Sequence, residues 1–560
     1  MFIDDIKNDF YRFLVGKRVL VIVNYDIDAL CASRILQALF QNDHIVYSIV
    51  PIMGISGLQR TYSDHRGDTH NILLINCGGC IDVLETLEPE EDTTFFICDS
   101  HRPYDVCNIY NDGQIKILGK PSEDEGIPEF ETIFRDSDTE DDSNSDSDDD
   151  PEAGESEQMT RMQKFEAKME KQRQKRTWEA DRNRIMFEYS QFSYYGRSSA
   201  LVFFELAWKL SKDSLDMLWW AIVGVTEQLV LGKIERATYT LECDQIQSHV
   251  SRLTNKASDQ SIQTAVRVTH ENDLHLVMYR HWSVQDSLRH SIHSACKMRL
   301  WTLRGEKRLQ ELLVEMGLPL VQARQTYSSM DLVLRKEFYT MIEKLAEKYD
   351  LVDLIYGSFT LNYGYRYRYS AADYVYSLLA NLESVGSDRL PEMCFLEAMD
   401  SLARVNRTKL DGGIERAKHL LCGIFRQVQS CLEMHQVQSA GPFLYYILTE
   451  ENSLFRCPYS LTLLTQFILR AYVSASRSRR APDLPLVSSC PIDLERGIFL
   501  MIGIPPTRED SPKNLFGRAF EQAAIKAGVS ISPDFFDTSC IQIKRDDTER
   551  FLDALTVLLS

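Results

Sequence analysis

The chain has 560 residues, 44% of them hydrophobic and 26% charged, with a formal net charge of −20. That length exceeds what a single hydrophobic core organises, so two to four domains are expected, and no apolar run is long enough to span a bilayer. The N-terminus M-F-I-D-D-I-K-N-D-F lacks a basic start followed by an apolar stretch, which argues against secretion, and thirteen scattered cysteines read as reduced thiols.

Along the chain, the first hundred residues alternate apolar strands with amphipathic helices. R-V-L-V-I-V-N, Arg18 to Asn24, is apolar throughout, as in a strand buried on both faces of a parallel sheet. Leu30, Ile35, Leu36 and Leu39 follow at near-helical spacing, and further strands are expected at His44 to Val50, Asn71 to Asn76 and Thr93 to Cys98. This rhythm predicts an α/β domain with a parallel sheet. Cys77 and Cys80 have C-x-x-C spacing, but no second pair or nearby histidines complete a zinc site, and a Gly-rich turn explains the segment.

The composition then breaks. Ser122 to Glu157 holds seventeen acids and one base, so the remainder of the chain carries only −4 and has no global basic field to collect nucleic acid. Asp136 to Asp150 has nine acids in fifteen residues and no apolar side chain, which predicts a disordered, solvated spacer. Its serines among acids are also what an acidophilic kinase prefers. Directly afterwards, nine bases against four acids between Arg161 and Arg184 predict a solvated helix face; the functional alternatives are a nuclear-import signal and an electrostatic partner for the acidic loop.

From Tyr189 the pattern becomes helical. Segments carrying Trp208, Trp219 and Trp220 are apolar on nearly all sides and read as core helices, and a helical middle region is expected from about Leu231 to Leu390. Strands return after Arg480 at L-P-L-V-S-S, G-I-F-L-M-I-G-I and S-C-I-Q-I-K, interleaved with helices at N-L-F-G-R-A-F-E-Q-A-A-I-K-A-G and T-E-R-F-L-D-A-L-T-V-L-L. The expected order is an α/β domain at 1–121, a disordered acidic loop at 122–160, a basic helix and completing helices at 161–230, a helical insertion at 231–390, and a smaller α/β domain at 391–560.

Three groups are expected at the carboxyl ends of the parallel strands, where open α/β sheets keep their sites: Asp26 with Asp28, Asn76, and Asp99 with His101. That arrangement resembles the DHH phosphoesterase superfamily, which includes the RecJ exonucleases and inorganic pyrophosphatases and binds two Mn²⁺ or Mg²⁺ ions between two domains. The family's first motif, D-x-D, is matched by Asp26 and Asp28. Its second is an aspartate where this chain has Asn76, and its third, D-H-H, reads Asp99, Ser100, His101. A two-metal site needs carboxylates to balance about four positive charges and an anionic oxygen to bridge the ions. Asn76 is neutral, Ser100 supplies no imidazole, and the G-G-G-H loop of nuclease members is missing. The metal site therefore reads as dismantled: Asp26, Asp28, Asp99 and His101 either hold one weak cation or are relics satisfied by helix N-terminal amides and neighbouring side chains. No P-loop, G-x-S-x-G or H-E-x-x-H replaces it, so no residue is assigned as catalytic and no cofactor is expected.

Longer stretches narrow the match. D-A-L-C-A-S-R-I-L-Q-A-L-F-Q-N-D-H, F-F-I-C-D-S-H-R-P, F-E-L-A-W-K-L-S-K, M-L-W-W-A-I-V-G and N-L-F-G-R-A-F-E resemble the cell division cycle forty-five family of eukaryotic replication factors, a RecJ-like branch of the superfamily, from Met1 to Ser560. The resemblance implies a nuclear, non-enzymatic subunit of the replicative helicase. Its implied partners are the GINS tetramer, the MCM ring, replication fork proteins and DNA polymerase, with no membrane, and the middle region docks on the ring.

Two rivals remain. One is a metal-dependent nuclease or phosphodiesterase. The other, compatible with the family reading, is a single-strand DNA binder using the cleft between the α/β domains. Y-G-Y-R-Y-R-Y, with Arg366 and Arg368, would serve it by stacking and phosphate contact, although the same alternation describes a plain edge strand.

Overall fold

A computed structural model describes residues 1–122, 125–134, 155–256, 266–364, 367–384, 389–449, 452–508 and 513–560. The acidic segment Asp136 to Asp150 and Arg366 lie outside the described residues. The chain divides into two units: Met1–Lys120 with Ser193–Ser560, and Pro121–Phe192.

The larger unit begins with strands β1 (Phe2–Ile3), β2 (Arg18–Asn24), β3 (Val46–Ile52), β4 (Asn71–Ile75), β5 (Thr94–Cys98), β6 (His101–Arg102) and β7 (Ile115–Leu118). All but β6 form one parallel sheet in the order β1-β7-β5-β4-β2-β3. The apolar runs explain it, because both faces are covered. Val19, Val21 and Val23 on one face join a core with helix α1 (Ile27–Asn42), while on the other Tyr62, from helix α2 (Gly54–Asp64), lies 5.9 Å from the Phe95 ring. The ends of the four strands expected in this sheet agree with those observed to within two residues.

The smaller unit contains one long helix, α3 (Glu155–Ser190), which includes the basic run; from Met169 to Thr177 every side chain is exposed. A solvated helix face is what that composition specifies.

The larger unit resumes at β8 (Tyr194–Tyr195), which pairs with β6. Helices α4 (Ser199–Lys209) and α5 (Leu215–Val230) then pack on α1. Trp219 and Trp220 are buried as expected, but Trp208 is 45% exposed. It lies on the outer side of α4, edge-on to His249 at 5.0 Å.

The middle region is helical around a three-stranded antiparallel sheet that the sequence pattern did not reveal. Strands β9 (Val266–Leu274), β10 (Ile355–Tyr363) and β11 (Tyr367–Ser370) run in the order β11-β10-β9. As an edge strand, β9 buries only Val268, Asp273 and Leu274 and keeps a largely polar composition. Its buried Asp273 accepts two bonds of 2.8 Å from Arg280 in a fork geometry. Of the Tyr/Arg alternation, Tyr363 ends β10 and Tyr367 to Tyr369 lie in the other edge strand, β11, while Tyr365 and Arg366 lie outside the described residues.

Helices α6 (Ala371–Leu382), α7 (Arg407–Glu433) and α8 (Pro458–Ala475) continue the core. A mixed sheet follows, β12 (Gln438–Ser439), β13 (Leu444–Ile447), β14 (Leu486–Asp493), β15 (Ile498–Ile504) and β16 (Cys540–Lys544), in sequence order. One face packs on α8; the other, with Phe443, Val487, Phe499 and Met501, packs on helices α9 (Phe516–Ala527) and α10 (Thr548–Leu559).

The loop before β16 reaches back to the first sheet. Asp534 accepts bonds from the Ser56 amide at 2.7 Å and the Ser56 hydroxyl at 2.8 Å, and its carbonyl accepts from the Ile55 amide at 2.7 Å. It thus satisfies the open N-terminal amides of α2 from a distant part of the chain. Gly54, at φ +78°, has no room for a side chain there, because a Cβ would fall on the Asp534 carbonyl oxygen.

Candidate functional site

Strands β2, β4 and β5 are neighbours in the sheet, so the residues just beyond their carboxyl ends meet. Asp26 is the N-cap of α1, accepting from the Ala29 amide at 2.6 Å and from Asn24 Nδ2 at 2.8 Å. Asp28, one residue into α1, faces the start of α4. There it accepts from the Ser198 hydroxyl at 2.5 Å, the Ser199 amide at 2.8 Å and the Ala200 amide at 3.1 Å. The positive end of α4 therefore compensates the charge of Asp28. Helix α5 presses so closely that a Cβ on Gly224 would meet an Asp28 oxygen.

Asn76 stands between the two aspartates. Its backbone is left-handed, φ +51°, a conformation asparagine tolerates better than most residues. Its Nδ2 donates to Asp26 at 3.2 and 3.3 Å and to Asp28 at 3.1 Å, while its Oδ1 accepts from the Ser100 amide at 3.2 Å and the Ser199 hydroxyl at 2.5 Å. The amide thus faces the carboxylates with its N–H edge, where a metal-binding aspartate would present oxygen.

Asp99 and His101 form a separate pair. His101 Nδ1 lies 2.7 Å from Asp99 Oδ1, which also accepts from the His101 amide, and Asp99 Oδ2 accepts from the Gly79 amide. Burial opposes the charge of Asp99, but His101 and these amides outweigh it and hold the carboxyl below its usual range. Burial likewise opposes the imidazolium of His101, and Asp99 outweighs it, raising that pKa. Ser100 contributes its backbone, donating to Asn76 and accepting from the Gly196 amide at 2.7 Å.

Sequence reasoning missed the cation of this site. Lys233, in the turn after α5, is buried with its Nζ 2.7 Å from Glu227 and lies over the rings of Tyr195 and Tyr459 at 4.8 and 5.5 Å. Burial opposes its charge, but Glu227, Asp26 and Asp28 outweigh it and raise its pKa. Burial pushes Asp26 up, and pushes Glu227 up to about 7. The available signal was an acid on an otherwise apolar helix, L-W-W-A-I-V-G-V-T-E-Q-L-V, six residues before a lysine.

These residues do not fit a pair of divalent ions. Each carboxylate oxygen of Asp26, Asp28 and Asp99 already accepts hydrogen bonds, Asn76 offers donors, and the Lys233 ammonium adds a fixed positive charge. Among the described residues, the cluster with three metal-type ligand atoms within 4.8 Å of one another is elsewhere: Asp82, Asp105 and Cys107. Asp82 and Asp105 there cap two short helices, Val83–Leu87 and Val106–Tyr110. Cys77 and Cys80 are free thiols, and Cys77 Sγ donates to the Ile22 carbonyl.

Between the first and last sheets lies a cavity of about 80 Å³, lined by His101, Tyr195, Tyr459 and Asp537 among others. Among the described residues, none of its lining comes from Tyr363 to Tyr369, and Arg368 instead pairs with Glu271 across the middle sheet.

A family model described as CDC45 matches residues 19–164 and 129–558. The Cell division control protein 45 homolog of Homo sapiens is 43% identical over 569 residues, covering 100% of each chain. That of Schizosaccharomyces pombe is 27% identical over 617 residues, covering 97% of this chain and 96% of the other. The crystal structure of CDC45 from Entamoeba histolytica superposes with a TM-score of 0.73 at 24% identity, covering 100% of both chains, which shows a common fold.

Proposed function

The chain belongs to the CDC45 family, and from that premise we propose that it is a non-catalytic, nuclear subunit of the eukaryotic replicative helicase that joins the GINS tetramer to the MCM ring. The observation that carries the non-catalytic part is the Asn76 side-chain amide donating to both Asp26 and Asp28. With those oxygens engaged and Lys233 beside them, the pocket has neither the bridging anion nor the open coordination positions that two-metal phosphoester cleavage requires. The former site instead ties strands β2, β4 and β5 to α1, α4 and α5, which serves rigidity.

A subunit without chemistry acts by binding one state of its partner more tightly than another. Docked across GINS and MCM, the chain shifts the ring toward the conformation it fits, by no more than its differential affinity for the two states. The ATP-driven motor, the fork proteins and the polymerase are then partners of the assembly, and single-stranded DNA is at most a secondary ligand.

The test is reconstitution with GINS, MCM, ATP and a forked duplex. Unwinding is expected only when this chain is added; unwinding of the same rate without it overturns the helicase reading. In parallel, the purified chain is incubated with labelled single-stranded DNA and Mn²⁺. Hydrolysis abolished by Asp26→Ala overturns the non-catalytic reading.

A further inference from the structure

A second cavity, of about 450 Å³, opens beside α8, away from the dismantled metal site. Its volume is that of a small-ligand pocket. Among the described residues, three charged side chains line it: Arg236, Arg470 and Glu235. Arg470 projects from α8, half-buried, and its guanidinium finds neither an ion pair nor a hydrogen bond among the described residues. Burial pushes its pKa down, with Arg236 adding to the effect.

Among the described residues, Arg236 also has no carboxylate partner. It donates to the Asp353 carbonyl at 2.8 Å and to His275 Nδ1 at 3.3 Å. Because His275 accepts on Nδ1, its remaining proton sits on Nε2. Burial and the two arginines push its pKa down to about 3, so the ring is a neutral donor. His293, 4.4 Å from His275 between ring centroids, is driven down in the same way. Among the described residues, the cavity therefore holds two guanidiniums and two neutral imidazoles against one carboxylate, beside an apolar wall that includes Ile292, Leu469 and Ile504.

A half-buried guanidinium with no counter-charge is costly, and two lining one cavity repel. A planar fork of donors is matched by the oxygens of a phosphate, which Arg binds bidentately. We propose that this cavity binds a phosphate monoester dianion, held by Arg470 and Arg236, whose organic group lies against the apolar wall. The phosphate would be carried either on a serine side chain of a peptide or on a nucleotide.

Calorimetric titration of the full chain with inorganic phosphate, N-acetyl-phosphoserine amide, AMP and the unphosphorylated serine amide tests this. Binding of at least one monoester is expected, tighter than inorganic phosphate, weakened by added salt and absent for the unphosphorylated amide. Arg470→Gln and Arg236→Gln are each expected to weaken it about tenfold or more. Tighter binding of the phosphoserine amide assigns a phosphorylated peptide; tighter binding of AMP assigns a nucleotide. Arg470→Gln removes an unpaired charge, so it is expected to melt no lower than the unaltered chain. No heat from any phosphate at millimolar concentration, or affinity unchanged in both variants, overturns the proposal.

Discussion

The Lys233 ammonium lies 2.7 Å from the Glu227 carboxylate, which is wholly withdrawn from water. A buried pair of this kind is weak evidence for stability as a pair, but removing one partner strands the other charge. Lys233→Met at pH 8 is expected to cost about 3–5 kcal/mol, and the double variant Lys233→Met/Glu227→Gln markedly less. A double-mutant cycle on urea unfolding checks this, and additive costs would contradict it.

Glu227 also sets a pH dependence. Burial raises its pKa from 4.5 to about 7. A carboxyl whose folded pKa exceeds its unfolded one binds its proton more tightly in the fold, so its contribution is full below about 4.5 and is lost as pH rises through about 7. Relative to Glu227→Gln, the unaltered chain is expected to lose on the order of 3 kcal/mol over that window. Parallel stability curves for the two proteins would refute it.

Placing at position 76 the aspartate of the phosphoesterases that the sequence resembles tests the reading of Asn76. Asn76→Asp places a third carboxylate against Asp26 and Asp28 and loses the amide donors, an expected cost of about 3 kcal/mol without metal. Millimolar Mn²⁺ is expected to recover part of the melting temperature of this variant while leaving that of the unaltered chain in place. Equal Mn²⁺ stabilisation of both would mean that the present site already takes the ion.

At Gly54 the combination of φ +78° and the Asp534 carbonyl leaves no space for a methyl group. Gly54→Ala is expected to cost about 3 kcal/mol and to hasten proteolysis in the loop around Asp534. Asp534→Ala, which loses only the cap of α2, should cost about 1 kcal/mol.

Arg368 pairs with Glu271 at a partly exposed edge. Arg368→Ala is expected to change stability by less than about 1 kcal/mol. Its affinity for an oligonucleotide and the salt slope of that affinity should equal those of the unaltered chain. A slope lower by about one would place a phosphate contact on this strand.

The parallel sheet was legible because a strand covered on both faces must be apolar along its length, as Arg18 to Asn24 is. The meeting of Asp26, Asp28 and Asn76 was legible for a related reason: each follows such a strand, and β2 and β4 are adjacent. Strand β9 was not. Edge strands need only a few buried positions, and V-R-V-T-H-E-N-D-L offers no continuous apolar face. Lys233 was hidden because L-G-K-I-E reads locally as a surface turn, and although its direct partner Glu227 is near in sequence, Asp26 and Asp28, which also favour its charge, are remote. The capping of Asp28 by Ser198 and Ser199 was likewise a tertiary event, invisible to the periodicity that located α4.

The Asp534 clamp has a mechanical consequence. Three hydrogen bonds at one short junction fasten the last sheet to the first across nearly the whole length of the polypeptide. A protein hinged there would absorb a push delivered at one end as bending. Fastened there, it carries a displacement of the loop before β16 directly to the start of α2.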